Sequence, residues 1–198
     1  MMDKIKNILQ LVRFSNLFFL GVLVYVMDKW VVSYVLDAEM FYGQGLPWYI
    51  LLLIAAATIL IAAGGYVIND YFDIKIDRIN RPDQLIVTQY ISKETAMRLS
   101  IGLSGVGMVC GLVVAFLLRS TTIGILFAII PGLLWFYSSS YKRLLIVGNV
   151  TIALLSATSI LMIAIANVAN LQLKFGDILP YTNLTDKICR NSVLFFLP

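Results

Sequence analysis

Apolar residues in this chain come in long blocks, at roughly 14–36, 47–72, 95–118, 121–141 and 145–168. Each block is close to the ~20 residues that a helix needs to cross the hydrocarbon core of a bilayer. A helix of a water-soluble protein would interrupt such a block with a polar face. The pattern predicts an all-α, polytopic transmembrane bundle of about five complete spans, with the start of a sixth near Ser192 that stops at Pro198. In the first block, Asp28 and Lys29 are expected to end the helix early. Pro47 stands where a helix should start, a place where its missing N–H costs nothing. Pro131 should kink the fourth block, which packed membrane helices tolerate. Gly107 and Gly111 form a small-xxx-small pair suited to close helix packing. No repeat, low-complexity tract or linker divides the chain, so residues 1–198 read as a single transmembrane domain.

Composition strengthens this picture. The 198 residues are 60% hydrophobic and 13% charged, where a soluble domain carries about a quarter charged residues. So little charge cannot cover a globule in water, but lipid solvates it well. The net charge of +4 would fit nucleic acid, except that Lys and Arg lie between the apolar blocks. The basic excess therefore reads as membrane orientation, with no nucleic-acid partner. With the amino terminus in the cytoplasm, that side holds ten basic residues: Lys4, Lys6, Arg13, Lys75, Arg78, Arg81, Lys93, Arg98, Lys142 and Arg143. The other side holds five: Lys29, Arg119, Lys174, Lys187 and Arg190. The segments after the second and fourth spans, which carry the unusual polar residues, then share the cytoplasmic face. The charged Met1–Arg13 stretch runs into the first block without a small-residue cleavage site and reads as leading into a retained span. The chain has no histidine, which removes His-based metal sites and Ser-His-Asp triads. Cys110 and Cys189 suggest no disulfide framework.

Chemistry concentrates in Asn69-Asp70-Tyr71-Phe72-Asp73-Ile74-Lys75-Ile76-Asp77-Arg78, at the end of the second span. At ~100° per residue, Asn69, Asp70, Asp73 and Asp77 fit an arc of ~100° on one helix face. Three carboxylates stacked this way repel each other and weaken the helix. A divalent cation would offset that repulsion, and Mg²⁺ is typically held by one or two carboxylates plus substrate phosphates. Without histidine or paired cysteines, softer metals lose their usual ligands. Arg78, Arg81, Lys142 and Arg143 could add direct charge to the same phosphates. The alternative is a solvated helix end balanced by Lys75, Arg78 and Arg81, although Lys75 points roughly away from Asp70 on the helical wheel.

This stretch resembles the N-D-x-x-D-x-x-x-D signature of the UbiA superfamily of intramembrane prenyltransferases. Arg78-Ile79-Asn80-Arg81-Pro82 is similar to that family's basic Arg-Pro loop, and Arg13 with Asn16 matches the opening of its first helix. Trp135 to Arg143 resembles its Tyr-x-x-x-Lys region, with Ser138 at the tyrosine position and Tyr137 one residue away. The style of the motif, with Gly148-Asn149 after Lys142-Arg143, looks most like the geranylgeranylglycerol-phosphate branch.

The resemblance implies a Mg²⁺-dependent enzyme that takes an isoprenyl diphosphate donor and prenylates a hydrophobic or amphipathic acceptor in the bilayer. The allylic C–O bond would ionise, and the acceptor would attack inside an apolar cavity that excludes water. Asn69, Asp70, Asp73 and Asp77 would be direct or water-mediated metal ligands, the three aspartates counting as catalytic. Arg13, Asn16, Asn69, Arg78, Arg81, Tyr137, Tyr141, Lys142 and Arg143 would contact substrate. The acceptor is expected to be a glycerol-phosphate lipid, or an aromatic such as 4-hydroxybenzoate or dihydroxynaphthoate. The expected home is a prokaryotic cytoplasmic membrane, with the amino terminus inside. Family members typically have nine spans and a second aspartate-rich motif after the sixth. This chain reads as the amino-terminal, carboxy-terminally truncated part of that fold, and Asp177 and Asp186 do not substitute for the second motif. From the residues alone, a cation-binding transporter or an inactive remnant stays open.

Overall fold

The computed structural model describes residues 2–38, 41–82 and 85–176, without the side chains of residues 2–5, Arg143 and Leu145. The sixth apolar stretch, Asp177, Asp186 and Cys189 lie outside the described residues. The described chain is helical: α1 (Met2–Leu11), α2 (Phe14–Val26), a π-helical segment (Met27–Val32), α3 (Ser33–Ala38), α4 (Trp48–Asn80), α5 (Lys93–Leu117), α6 (Thr121–Ser139), a 3₁₀ turn (Tyr141–Arg143) and α7 (Leu145–Phe175). Five helical stretches are long and apolar enough to cross a membrane. Their outer faces carry Phe116, Ile146, Trp30 and Leu52 more than half exposed. Apolar surface on that scale suits lipid, not water. The protein is an integral membrane protein.

The first span differs from expectation. Asp28 and Lys29 do not end it, and the helix continues from Phe14 to Ala38 through the π-helical segment. Asp28 is 1% exposed, and an apolar bundle tolerates it because both oxygens are engaged. Asn167 Nδ2 donates to Oδ1 at 2.9 Å, and Lys29 Nζ lies 2.9 Å from Oδ2. Pro47 caps α4 with an extended backbone (φ −57°, ψ 141°). Helix α6 runs through Pro131 without interruption.

Small residues bring α4, α5 and α6 together. A Cβ on Gly64 would meet Ser100 O at 2.9 Å, and Ser100 Oγ donates to the Gly64 carbonyl at 2.9 Å. A Cβ on Gly107 would meet Ala57 O at 2.9 Å, and one on Gly111 would meet the Phe127 ring. The close packing expected at Gly107 and Gly111 is present, each against a different helix. With its 33 residues, α4 is ~50 Å long, against a hydrocarbon core of ~30 Å. Its last turns, which carry the aspartates, therefore reach beyond the apolar span. The segment after α4 folds back, burying Ile86 and Val87 beside Leu11, Val67 and Ile74.

Candidate functional site

The α1–α2 turn and the 3₁₀ turn before α7 bring cations to the end of α4. Asn69 and Asp73 sit one turn apart, and Asn69 Nδ2 donates to Asp73 Oδ2 at 3.0 Å. The other carboxylate oxygen, Oδ1, lies 2.7 Å from Lys142 Nζ. The same ammonium donates to Asn69 Oδ1 at 3.3 Å. Lys142 reaches this position because the 3₁₀ turn folds onto the first turns of α7. Gly148 permits that approach: a Cβ there would fall 2.8 Å from Tyr141 O and 3.1 Å from Lys142 Cα.

Across the α4 face, Arg13 Nη2 donates to Asp70 Oδ1 at 3.2 Å. Its guanidinium also stands 4.9 Å over the Tyr66 ring. Arg13 separates α1 from α2 in a left-handed conformation, φ 54° and ψ 54°, which a non-glycine residue seldom adopts. That turn redirects the chain where Arg13 meets α4. The carboxylate repulsion read from the sequence is thus relieved by two cations from distant parts of the chain.

Below this polar mouth lies a cavity of about 530 Å³ between α2, α4, α6 and α7. Arg13, Asn16, Tyr66, Asn69, Tyr137 and Ser138 line its polar end, and Leu23, Thr58, Phe127 and Met162 its far end. From Asn69 to Thr58 along α4 is ~16 Å at the helical rise. The walls between are chiefly aliphatic, including Leu20, Ile61, Ile130 and Leu134.

Comparison with known proteins places the chain in a family. Residues 31–182 match the profile of the UbiA prenyltransferase family. The chain belongs to that family. It is 35% identical over 107 residues to the digeranylgeranylglyceryl phosphate synthase of Ignicoccus hospitalis, covering 54% of this chain and 34% of that protein. With the same enzyme of Saccharolobus solfataricus it shares 34% identity over 160 residues, covering 79% of this chain and 50% of the other. A solved structure concerned with digeranylgeranylglyceryl phosphate synthase in membranes superposes with a TM-score of 0.65 at 25% identity, covering 94% of this chain and 59% of that one. The chain spans about a third to a half of the length of these curated relatives.

The site residues expected from the UbiA resemblance divide into three groups. Arg13, Asn69, Asp70, Asp73 and Lys142 meet in the two networks above, and Asn16 and Tyr137 line the cavity. Asp77 continues the same α4 face in the next turn and is partly exposed. Arg78 and Arg81 are exposed at the end of α4, and Tyr141 stacks on Phe136 with centroids 6.3 Å apart. The Arg143 side chain lies outside the described residues. Ser138, at the family's tyrosine position, is buried, and its hydroxyl donates to Leu134 O at 2.8 Å. Tyr66 and Gly148 escape motif reading. Their spacing from Arg13 and Lys142 carries no signal until the helices are packed.

Members of this family typically depend on magnesium. Among the described residues, no three His, Cys, Asp or Glu side chains gather as a metal-holding group. The donors at the mouth are hard carboxylate and amide oxygens, and Lys142 already places a positive charge between Asn69 and Asp73. That chemistry fits the mode in which one or two carboxylates and substrate phosphates share the ion.

Proposed function

We propose that this chain carries the donor site of a prenyltransferase that moves a geranylgeranyl group from its diphosphate to a glycerol-phosphate lipid. One observation carries the reading: a mouth lined by Arg13, Asn69, Asp73 and Lys142 caps an apolar cavity deep enough for an isoprenoid tail. The diphosphate sits at the mouth, and the tail lies along the aliphatic walls. Asn69 and Asp73, with Asp70 and Asp77 beside them, would hold Mg²⁺. When bound, that ion neutralises charge developing on the departing diphosphate.

Lys142 and Arg13 do the rest of the charge work. Both are long cations that exchange a carboxylate for a phosphate oxygen without leaving the mouth. The allylic C–O bond breaks, and its electron pair leaves with the diphosphate. The acceptor hydroxyl oxygen forms the new C–O bond and releases its proton to the departing diphosphate. The apolar walls keep water from taking the acceptor's place. The aspartate-bearing end and the amino terminus face the cytoplasm, in line with the ten-to-five distribution of basic residues. A transporter reading has less support. The carboxylates lie at the end of an unbroken α4, whereas transporter sites favour discontinuous helices near the bilayer midplane.

The test is prenyl transfer in nanodiscs with radiolabelled geranylgeranyl diphosphate, Mg²⁺ and three acceptors: a geranylgeranylglycerol phosphate, 4-hydroxybenzoate and a dihydroxynaphthoate. A lipid product that disappears in Asp73→Ala and with chelator upholds the proposal. An aromatic product overturns the acceptor. Mg²⁺-dependent donor binding without product overturns transfer by this chain and keeps the donor site. Absence of both overturns the reading entirely.

A further inference from the structure

We propose that Phe127, seated on Gly111, is the floor that sets how long an apolar tail the cavity accepts. The inference rests on the donor-site reading above and adds its chain-length selectivity. Phe127 is the largest side chain at the far end of the cavity and is only 2% exposed. It projects from α6 and closes the far end of the space, which along α4 runs ~16 Å from Asn69 to Thr58. Behind the ring lies α5, which contributes no residue to the cavity lining. Gly111 of α5 leaves the room in which the ring sits: a Cβ there would fall 2.6 Å from Phe127 Cβ and run into the ring.

The ring is therefore held back from the cavity by the absence of one methyl group. Packed interiors respond to changes of that size. Adding the methyl group drives the ring away from α5, toward the cavity, and shortens the space. Replacing the ring with a smaller aliphatic side chain deepens it. The two changes act in opposite directions on one quantity, which general loss of packing would not do.

The experiment measures Mg²⁺-dependent binding of farnesyl, geranylgeranyl and farnesylgeranyl diphosphate to the detergent-solubilised chain, by competition with radiolabelled geranylgeranyl diphosphate. Phe127→Leu should raise the affinity for farnesylgeranyl relative to geranylgeranyl diphosphate by about tenfold, the scale of apolar-pocket discrimination. Gly111→Ala should lower geranylgeranyl relative to farnesyl diphosphate by a similar factor. The double variant should return toward the original ratios. Circular dichroism and thermal unfolding check the fold, and Phe127→Met replaces Phe127→Leu if the latter does not fold. Unchanged ratios in folded, donor-binding variants overturn the floor assignment alone. Failure of the unmodified chain to bind any of the three removes the donor site on which the assignment depends.

Discussion

Replacing Lys142 with Met removes a charge while keeping most of the side-chain length, and its two consequences have opposite signs. At 2.7 Å from Asp73, the pair has a gross attraction of about 6 kcal/mol at an effective dielectric of ~20. Desolvation offsets most of this. With side chains 13% and 20% exposed, the pair lies between a surface pair, where loss costs up to about 1 kcal/mol, and a buried one, where it costs about 3–5 kcal/mol. Lys142→Met should therefore lower unfolding free energy in mixed micelles by about 2–3 kcal/mol. The double cycle with Asp73→Asn should show a coupling of about 1–3 kcal/mol. On the proposed donor-site reading, the ammonium would compete with Mg²⁺ for Asp73 in the unmodified chain. Its removal should tighten binding of Mg²⁺ alone while weakening Mg²⁺-dependent binding of geranylgeranyl diphosphate, both read by titration calorimetry. Unchanged stability would mean that the pair does not hold in solution. Weaker binding of Mg²⁺ alone would refute the competition argument, because Lys142 would then assist the metal.

Four other outcomes follow from the packing. Arg13→Ala should cost no more than about 1 kcal/mol of stability, because the Asp70 pair is partly exposed. It should still reduce donor affinity in the same titration, since the proposed site loses a cation suited to phosphate. Gly148→Ala pushes on Tyr141 O and the Lys142 backbone, so donor affinity should fall with an overpacking cost of about 1–3 kcal/mol. Gly107→Ala meets the α4 backbone and should destabilise by a similar about 1–3 kcal/mol, measured by unfolding in mixed micelles. Asn167→Leu removes the amide that donates to buried Asp28, at a cost of about 1–3 kcal/mol. Asn167 lies ~33 Å along α7 from Leu145, so donor titration should be unaffected.

How much of this was legible in the chain depends on the range of the interaction. Membrane spans are a one-dimensional property, set by the length of apolar runs against bilayer thickness, and the five blocks appear as helices, although α4 and α7 run eight and seven residues past the expected ends at 72 and 168. The phasing of Asn69, Asp70, Asp73 and Asp77 is equally local, because ~100° per residue fixes one helix face whatever surrounds it. Asp28 shows the limit of local reading. A lone carboxylate in an apolar run predicts a helix end, and the helix continues because Asn167, 139 positions away, joins the neighbouring Lys29 in satisfying it.

The mouth follows the same rule. Sequence spacing determined that three carboxylates share a face and that something must neutralise them. The family resemblance marked Arg13 and Lys142 as candidates, but not their partners. Tertiary packing decided that Arg13 faces Asp70 and Lys142 faces Asp73, because those pairs form only when α2 and the α6–α7 turn are brought against α4. It likewise decided the cavity and its Phe127 floor. A cavity is the space left between helices, and no single helix encodes it.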